Sequence, residues 1–251
     1  MKICVFDTET TGLEKPFCYN VGYIIVDTDF LEWKKLVRRE YVVEQIWHNL
    51  PLFNTAYYAD KRPLYVSAMR ARKVQLEKFG YITQQMARDF KQYNVEYAYA
   101  YNSSFDEKVF NFNCDWFKVI NPFDNIPIYD IRGFAHHFLI DDAYKAYCER
   151  FNLFTDSGNY STTAEAVFRY LSCIDDFKEE HTALADSELE LEILYQAELA
   201  GADLTVGYQA ERSIPRNTPK TLTIKKDGEK IFSVDCENYT LYKKNHTIVV
   251  R

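Results

Sequence analysis

Asp7 and Glu9 stand at the end of an apolar run, Lys2-Ile3-Cys4-Val5-Phe6. Strand side chains alternate between faces, so two carboxylates spaced by two share a face. Neighbouring anions repel unless a cation lies between them. Thr10-Thr11-Gly12-Leu13 follow as a polar turn. One reading is an oxygen-ligand site for a divalent cation. The other is a solvated strand end in which Asp and Thr open a turn. Further acids downstream decide how much weight the first reading bears.

They occur twice. Tyr97-Ala98-Tyr99-Ala100-Tyr101 is a β-prone run, followed by Asn102-Ser103-Ser104-Phe105-Asp106. Asn and Ser are helix-start residues, and Phe105, Val109, Phe110 and Phe112 have helical apolar spacing. Asp106 then falls in a first helical turn, where any acid complements the helix dipole. Asn102 either caps that helix or bonds a ligand, and Phe105 either packs beneath Asp106 or meets a substrate. Further on, His181 precedes Thr182, a fair N-cap, and Asp186 sits just inside the helix that Thr182 opens. Taken singly, these are a surface histidine and a comfortable first-turn acid.

Taken in order, the stretches FDTETTGL, YNSSFD and HTALAD resemble the DEDDh family of 3′→5′ exonucleases. That family includes polymerase proofreading subunits, ribonuclease T and oligoribonuclease. The D-x-E-T-T-G motif is matched through Gly12, the N-x-x-F-D pattern by Asn102, Phe105 and Asp106, and H-x-x-x-x-D by His181 and Asp186. The resemblance covers roughly residues 1 to 200. It implies that Asp7, Glu9, Asp106 and Asp186 hold two divalent ions, Mg²⁺ or Mn²⁺, with Asp7 as the bridge. Hard cations prefer such oxygen ligands. It implies that His181 is the general base, a role suited to an imidazole near neutral pH. Histidine five before the last Asp marks the histidine subtype; Tyr160 is too distant to mark the tyrosine one. The resemblance further assigns Thr8, Thr10, Thr11, Gly12 and Leu13 to the 3′-terminal nucleotide, with Asn102 and Phe105 beside them. Leu13 would pack against the terminal base, a contact that tolerates any sequence. Residues 155–165 also look like versions from phages and their bacterial hosts, which favours a stand-alone enzyme.

The expected activity is therefore removal of nucleotides from the 3′ end of single-stranded nucleic acid, DNA ahead of RNA. An RNA-trimming or oligoribonuclease-like enzyme and a non-catalytic binding scaffold are the competing readings. The expected partners are strand ends and a polymerase or other replication protein. All five chemical positions are intact, which argues against the scaffold.

Composition bounds these expectations. A chain of 251 residues with 47% hydrophobic residues can bury one large core. It has no apolar run long enough to span a membrane and no secretory signal at residue 1, so a cytoplasmic enzyme without membrane contact is expected. The six cysteines contain no C-x-x-C pair and read as reduced, mostly buried thiols. The net charge of −7 disfavours a long phosphate track, although a short end held through cations needs little positive charge. Lys34-Lys35 with Arg38-Arg39, Lys61-Arg62, and Arg70 with Arg72 and Lys73 are basic clusters. Each is either a solvated face or a phosphate contact.

These residues need a scaffold that brings three distant segments together. Strands are expected at 2–7, 21–26, 36–44, 95–101 and 126–131. Helices are expected at 82–93, in pieces over 132–151, at 161–171 and at 183–199. Asp130 matches a structural acid rather than a ligand. A meander of strands followed by strand–helix alternation reads as α/β. The family resemblance makes it a ribonuclease H-like mixed five-stranded sheet flanked by helices, occupying residues 1–205. Residues 206–251 read as a β-hairpin-rich extension, with a turn at Lys226-Asp227-Gly228. The aromatic segment 45–80 either packs locally or helps hold the strand.

Overall fold

The computed structural model describes residues 1–216 and, beyond them, the backbone of strands at 220–226, 229–236, 242–244 and 247–249. The chain begins with a meander, β1 (Lys2–Thr10), β2 (Cys18–Asp27) and β3 (Lys34–Val43). Short helices α1 (Glu44–Trp47) and α2 (Leu50–Phe53), a 3₁₀ turn at Ala59–Lys61, α3 (Arg62–Arg70) and β4 (Gln75–Glu77) come next. Then follow α4 (Phe79–Tyr93), β5 (Tyr97–Ala100), α5 (Ser103–Phe117) and β6 (Ile128–Asp130). Four helices complete the body: α6 (Ile131–Phe138), α7 (Asp142–Phe151), α8 (Ala164–Ser172) and α9 (Ala183–Leu199).

The sheet order is β4-β3-β2-β1-β5-β6. β2 is antiparallel to both β1 and β3, whereas β5 and β6 run parallel to β1. This is the ribonuclease H-like α/β arrangement, with β1 at its centre. The sheet has six strands rather than five. The added strand, β4, pairs in parallel with β3 at the edge. Three residues are too few to display a period of two, so the sequence pattern carries no mark of it.

The strands alternate as a two-sided sheet requires. Ile3 and Val5 enter one core with Phe134, Leu184, Leu191 and Leu194. Cys4 and Phe6 enter the other with Phe79, Phe110 and Phe123. Each fully buried large side chain of this kind contributes roughly 1.5–3 kcal/mol. Helix α9 buries residues around most of its circumference, Leu184, Leu189, Leu191, Ile193 and Leu194 among them. It is therefore wedged against the sheet rather than laid over it.

The seat of α9 depends on two small features of β2. A Cβ on Gly22 would lie 2.3 Å from the backbone of Ala183 and Leu184. Only glycine lets the helix start approach that closely. Beside it, buried Asn20 accepts the Ala183 N–H at 2.8 Å and the Tyr65 hydroxyl at 2.9 Å, and donates to the Tyr41 carbonyl at 2.9 Å. Ser187 donates back to the Ala183 carbonyl at 2.6 Å.

Segment 45–80 folds on the other core. Trp47, Phe53 and Tyr65 are buried. The Arg62 guanidinium lies 3.8 Å from the Trp47 ring centre and 4.9 Å from that of Phe53. Residues 206–216, assigned from sequence to the extension, lie against the body. Tyr208 packs edge-on to Phe134 with centroids 4.8 Å apart, and Tyr160 N–H donates to the Ile214 carbonyl at 3.0 Å. Arg216 pairs with Glu149 at 2.5 Å. Farther on, β7 (Lys220–Lys226) pairs antiparallel with β8 (Glu229–Cys236), and β9 (Tyr242–Lys244) with β10 (Thr247–Val249). The expected turn at Asp227 and Gly228 lies outside the described residues. Among the described residues no helix is long and apolar enough to cross a membrane. Five described cysteines are free thiols, four of them buried and Cys173 exposed.

Replacing Gly22 with Ala is expected to destabilise the chain by about 2 kcal/mol or more, since neither backbone can yield. Urea denaturation of the two proteins measures this. An unchanged midpoint would show that α9 does not seat on β2 as described.

Candidate functional site

Asp7 and Glu9 occupy the end of β1, next to a register shift between Glu9 and Thr10. Asp106 stands in the first turn of α5 and is 2% exposed. The Thr8 hydroxyl, on the opposite face of β1 from Asp7, donates to Asp106 Oδ1 at 2.6 Å. Asp186 stands in the first turn of α9, and His181 lies two residues before that helix with φ of 51°. Three sequence segments thus deliver five groups to one end of the sheet.

The charges confirm their proximity. Burial, reinforced by Asp106, Glu190, Asp186 and Glu9, pushes the Asp7 carboxyl well above its ordinary value. Burial likewise lifts Glu9 to about 9, with Asp186 adding to the effect and Lys61 opposing it. Asp186 is pushed up to about 8 by burial and then by Glu179. Asp106 rises less, to about 7, because Thr8 bonds its charged form. Burial and Lys61 move His181 the other way, below its ordinary value, which favours its neutral form. Its Nδ1 lies 3.4 Å from Glu179 Oε2 and 4.0 Å from Asp186 Oδ2.

The donor set fits a divalent cation. Glu9, His181 and Asp186 each offer a ligand atom within 4.8 Å of the others. The half-buried carboxylate of Asp7 and the buried one of Asp106 add hard oxygen donors, the type that Mg²⁺ and Mn²⁺ prefer. Anions kept this close in a low-dielectric cleft call for a positive charge among them.

Two acids here stand outside the sequence motifs. Glu190, one turn beyond Asp186 on α9, is 3% exposed and accepts the Tyr101 N–H at 3.2 Å. Burial, Asp106 and Asp186 push its carboxyl well up. Glu179, raised by burial to about 7, faces His181. Both line a cavity of about 440 Å³ with Asp7, Asp186, Asn102 and Arg132. Helical spacing from Asp186 singles out Glu190 at i+4, whereas Glu188 at i+2 and Glu192 at i+6 fall on another face of α9. Glu188 instead pairs with Lys35 and Arg38 on the surface.

The residues assigned to a terminal nucleotide divide. Leu13 is 73% exposed, and its carbonyl accepts from Lys108 at 2.8 Å. Gly12 is exposed with open space where a Cβ would stand. Thr10 donates to the Gly12 carbonyl at 3.3 Å. Thr8 and Thr11 are buried. The Thr8 hydroxyl is committed to Asp106, and the Thr11 backbone is bonded to Phe17 and Thr55. Phe105 is half-buried against the α4–α5 core. Asn102 occupies the N-cap position with φ of 60° and makes no side-chain cap. Its N–H donates to Asp130 at 2.8 Å, and Asp130 also caps α6 through Arg132 N–H at 2.9 Å. Asp130 is thus a joint between helices. Thr182 is likewise an N-cap without a side-chain bond.

Several basic residues turn out to be engaged. Arg39 holds buried Asp89 at 2.7 Å, Arg62 covers Trp47, and Lys61 donates to the Glu180 carbonyl. They do not form a continuous phosphate track.

No protein-family model matches the sequence, and no curated protein matches it. Among solved structures the chain is similar to E. coli exonuclease I in complex with a dT13 oligonucleotide, at 16% identity over 78% of this chain and 41% of that one, TM-score 0.45. It is similar to an ExoI/SSB-Ct complex at 13% identity over 80% and 41%, TM-score 0.49. It is also similar to the nuclease domain of 3′hExo, a DEDDh family member, bound to rAMP, at 13% identity over 85% and 97%, TM-score 0.47. The chain spans about two fifths of the exonuclease I chain it matches, 41%. At this level of likeness the functional reading rests on site geometry.

Glu190→Gln is expected to stabilise the protein in EDTA at pH 8, raising the thermal midpoint by about 3 °C or more. The folded state raises the Glu190 pKa above its unfolded value of 4.5, so the wild-type penalty exists above that pH. The gain should fade as pH falls through 4.5 and vanish below it, where the acid is protonated in both states. A midpoint equal to wild type at pH 8 would remove Glu190 from the charge cluster.

Proposed function

We infer that this protein is a metal-dependent 3′→5′ exonuclease acting on single-stranded nucleic acid. The observation that carries the reading is the convergence of Asp7, Glu9, Asp106 and Asp186 with His181 at one end of the sheet. In it, Asp7, Glu9, Asp106 and Asp186 would hold two divalent ions. Such ions, when bound, neutralise the phosphodiester and lower the energy of both attacking and leaving oxygens.

The chain's own residues perform the remaining tasks. Asp7 faces both Asp106 and Asp186 in its charge environment, which suits the bridging place. Thr8 orients Asp106 and favours its charged form through the 2.6 Å hydrogen bond. Glu179, 3.4 Å from Nδ1, favours the tautomer protonated there. The Nε2 lone pair is then left to accept a proton from the attacking water. Leu13, exposed beside α5, offers an apolar face to a terminal base. The partners in this reading are strand ends, and a polymerase or other replication protein that presents them.

The test uses matched 5′-labelled single-stranded DNA and RNA oligonucleotides with Mg²⁺, Mn²⁺ or EDTA. A ladder that shortens from the 3′ end only with metal is expected, and the faster substrate identifies the sugar. Asp7→Asn should lower turnover at least about 100-fold while the folded state survives, because the altered group is polar and of equal size. Full cleavage by Asp7→Asn, or cleavage in EDTA, would overturn the reading.

A further inference from the structure

Of the five chemical groups, His181 alone stands on a loop. Asp7 and Glu9 are on β1, Asp106 on α5 and Asp186 on α9. The loop backbone at His181 is left-handed, φ 51°, a conformation held only by its surroundings. Yet a base must be fixed within a fraction of an ångström and about 10–20° of its working geometry. The Nδ1 contacts with Glu179 and Asp186, at 3.4 and 4.0 Å, constrain one edge of the ring and leave its plane free.

The plane is set from the 45–80 segment. The Tyr58 ring stacks on the His181 imidazole with centroids 4.2 Å apart and planes 12° from parallel. Tyr58 is itself held. Its carbonyl accepts the Lys61 N–H at 3.0 Å, and its ring meets Tyr57 edge-on at 4.8 Å. The Lys61 ammonium lies 5.0 Å from the Tyr58 ring centre and donates to the carbonyl of Glu180, the residue before His181. One lysine therefore ties the aromatic to the backbone that carries the histidine.

We propose that Tyr58 is a positioning residue whose ring holds the His181 imidazole in the plane needed for proton transfer. This rests on the reading of His181 as general base. The stack serves both states of the reaction: a neutral imidazole packs on the phenol face, and an imidazolium gains attraction to it. The Tyr58 hydroxyl is not required. Segment 45–80 thereby becomes part of the catalytic apparatus and not only a wall of the cleft.

The experiment compares full-length wild type, Tyr58→Phe and Tyr58→Ala. Histidine side-chain ¹H–¹³C spectra, with His181→Gln to assign the resonance, read the stack directly. An upfield ring-current shift is expected in wild type and Tyr58→Phe and lost in Tyr58→Ala. Kinetics on 5′-labelled oligodeoxythymidylate with Mn²⁺ read its consequence. Tyr58→Ala should lower kcat about ten-fold with KM within about two-fold, and Tyr58→Phe should restore it. An unshifted His181 resonance in wild type would overturn the proposal. So would Tyr58→Ala with kcat intact and KM raised, which would make Tyr58 a substrate contact. A wild-type chain that shows the shift but shortens neither DNA nor RNA sinks the exonuclease reading, and the base assignment with it.

Discussion

The close approach of α9 to β2 is the constraint from which the site follows. With only hydrogen at Gly22, the helix start rests directly on the strand, and Asn20 takes up the Ala183 N–H that this contact buries. That seat fixes where Asp186 and Glu190 stand relative to Asp7 on β1, the strand paired with β2. A helix one side-chain diameter farther out would still bury Leu191 and Leu194 in part. It would not place its first-turn acid among the β1 carboxylates. The apolar core supplies the energy that holds α9 down, and the glycine supplies the distance.

Core energy is then spent against electrostatic repulsion. Burial pushes up the carboxyls of Asp7, Glu9, Asp106, Asp186 and Glu190; Asp7, Glu9 and Glu190 are raised further by others of the set, Asp106 by Asp130, and Asp186 by Glu179 and Glu180. A fold optimised for stability alone would place apolar residues at these points. Thr8 and the Tyr101 N–H partly relieve Asp106 and Glu190, while Lys61 relieves Glu9 and Asp186 from the cleft's outer side. Local conflict of this kind, in a sequence otherwise consistent from strand pattern to helix caps, is the mark of a functional site.

The parts legible in the sequence are those with a period or an order. The meander, the β5–α5 unit and the α9 boundaries follow from alternation, helix-start residues and a long apolar stripe. Strand β1 runs on to Thr10 because it pairs with β2 across a register shift, which no one-strand pattern announces. Strand β4 is too short to have a period. The order of acids points to one site, and Glu190, at i+4 from Asp186, shares its face although no motif marks it. Residue type makes Thr182 a cap and leaves Asn102 either a cap or a ligand contact, whereas neither side chain caps its helix. Buried Asn20 and half-buried Asp130 accept the N–H groups at or beside those starts, and such partners are invisible to local sequence.

The basic residues show the same division between composition and placement. A chain of net charge −7 has little positive charge to spare. Here Arg39 is committed to a buried aspartate, Arg62 to aromatic rings and Lys61 to a loop carbonyl. Phosphate tracking by a charged groove is therefore a poor match to this surface, since non-specific binding to a long strand scales with the cations available to displace counterions. Recognition of a strand end needs fewer of them, because bound divalent ions carry the charge and an apolar contact carries the base. Committing cations to the 45–80 segment stiffens the wall around His181 instead. On the exonuclease reading proposed above, such a site would hold its substrate at the terminus rather than along the strand.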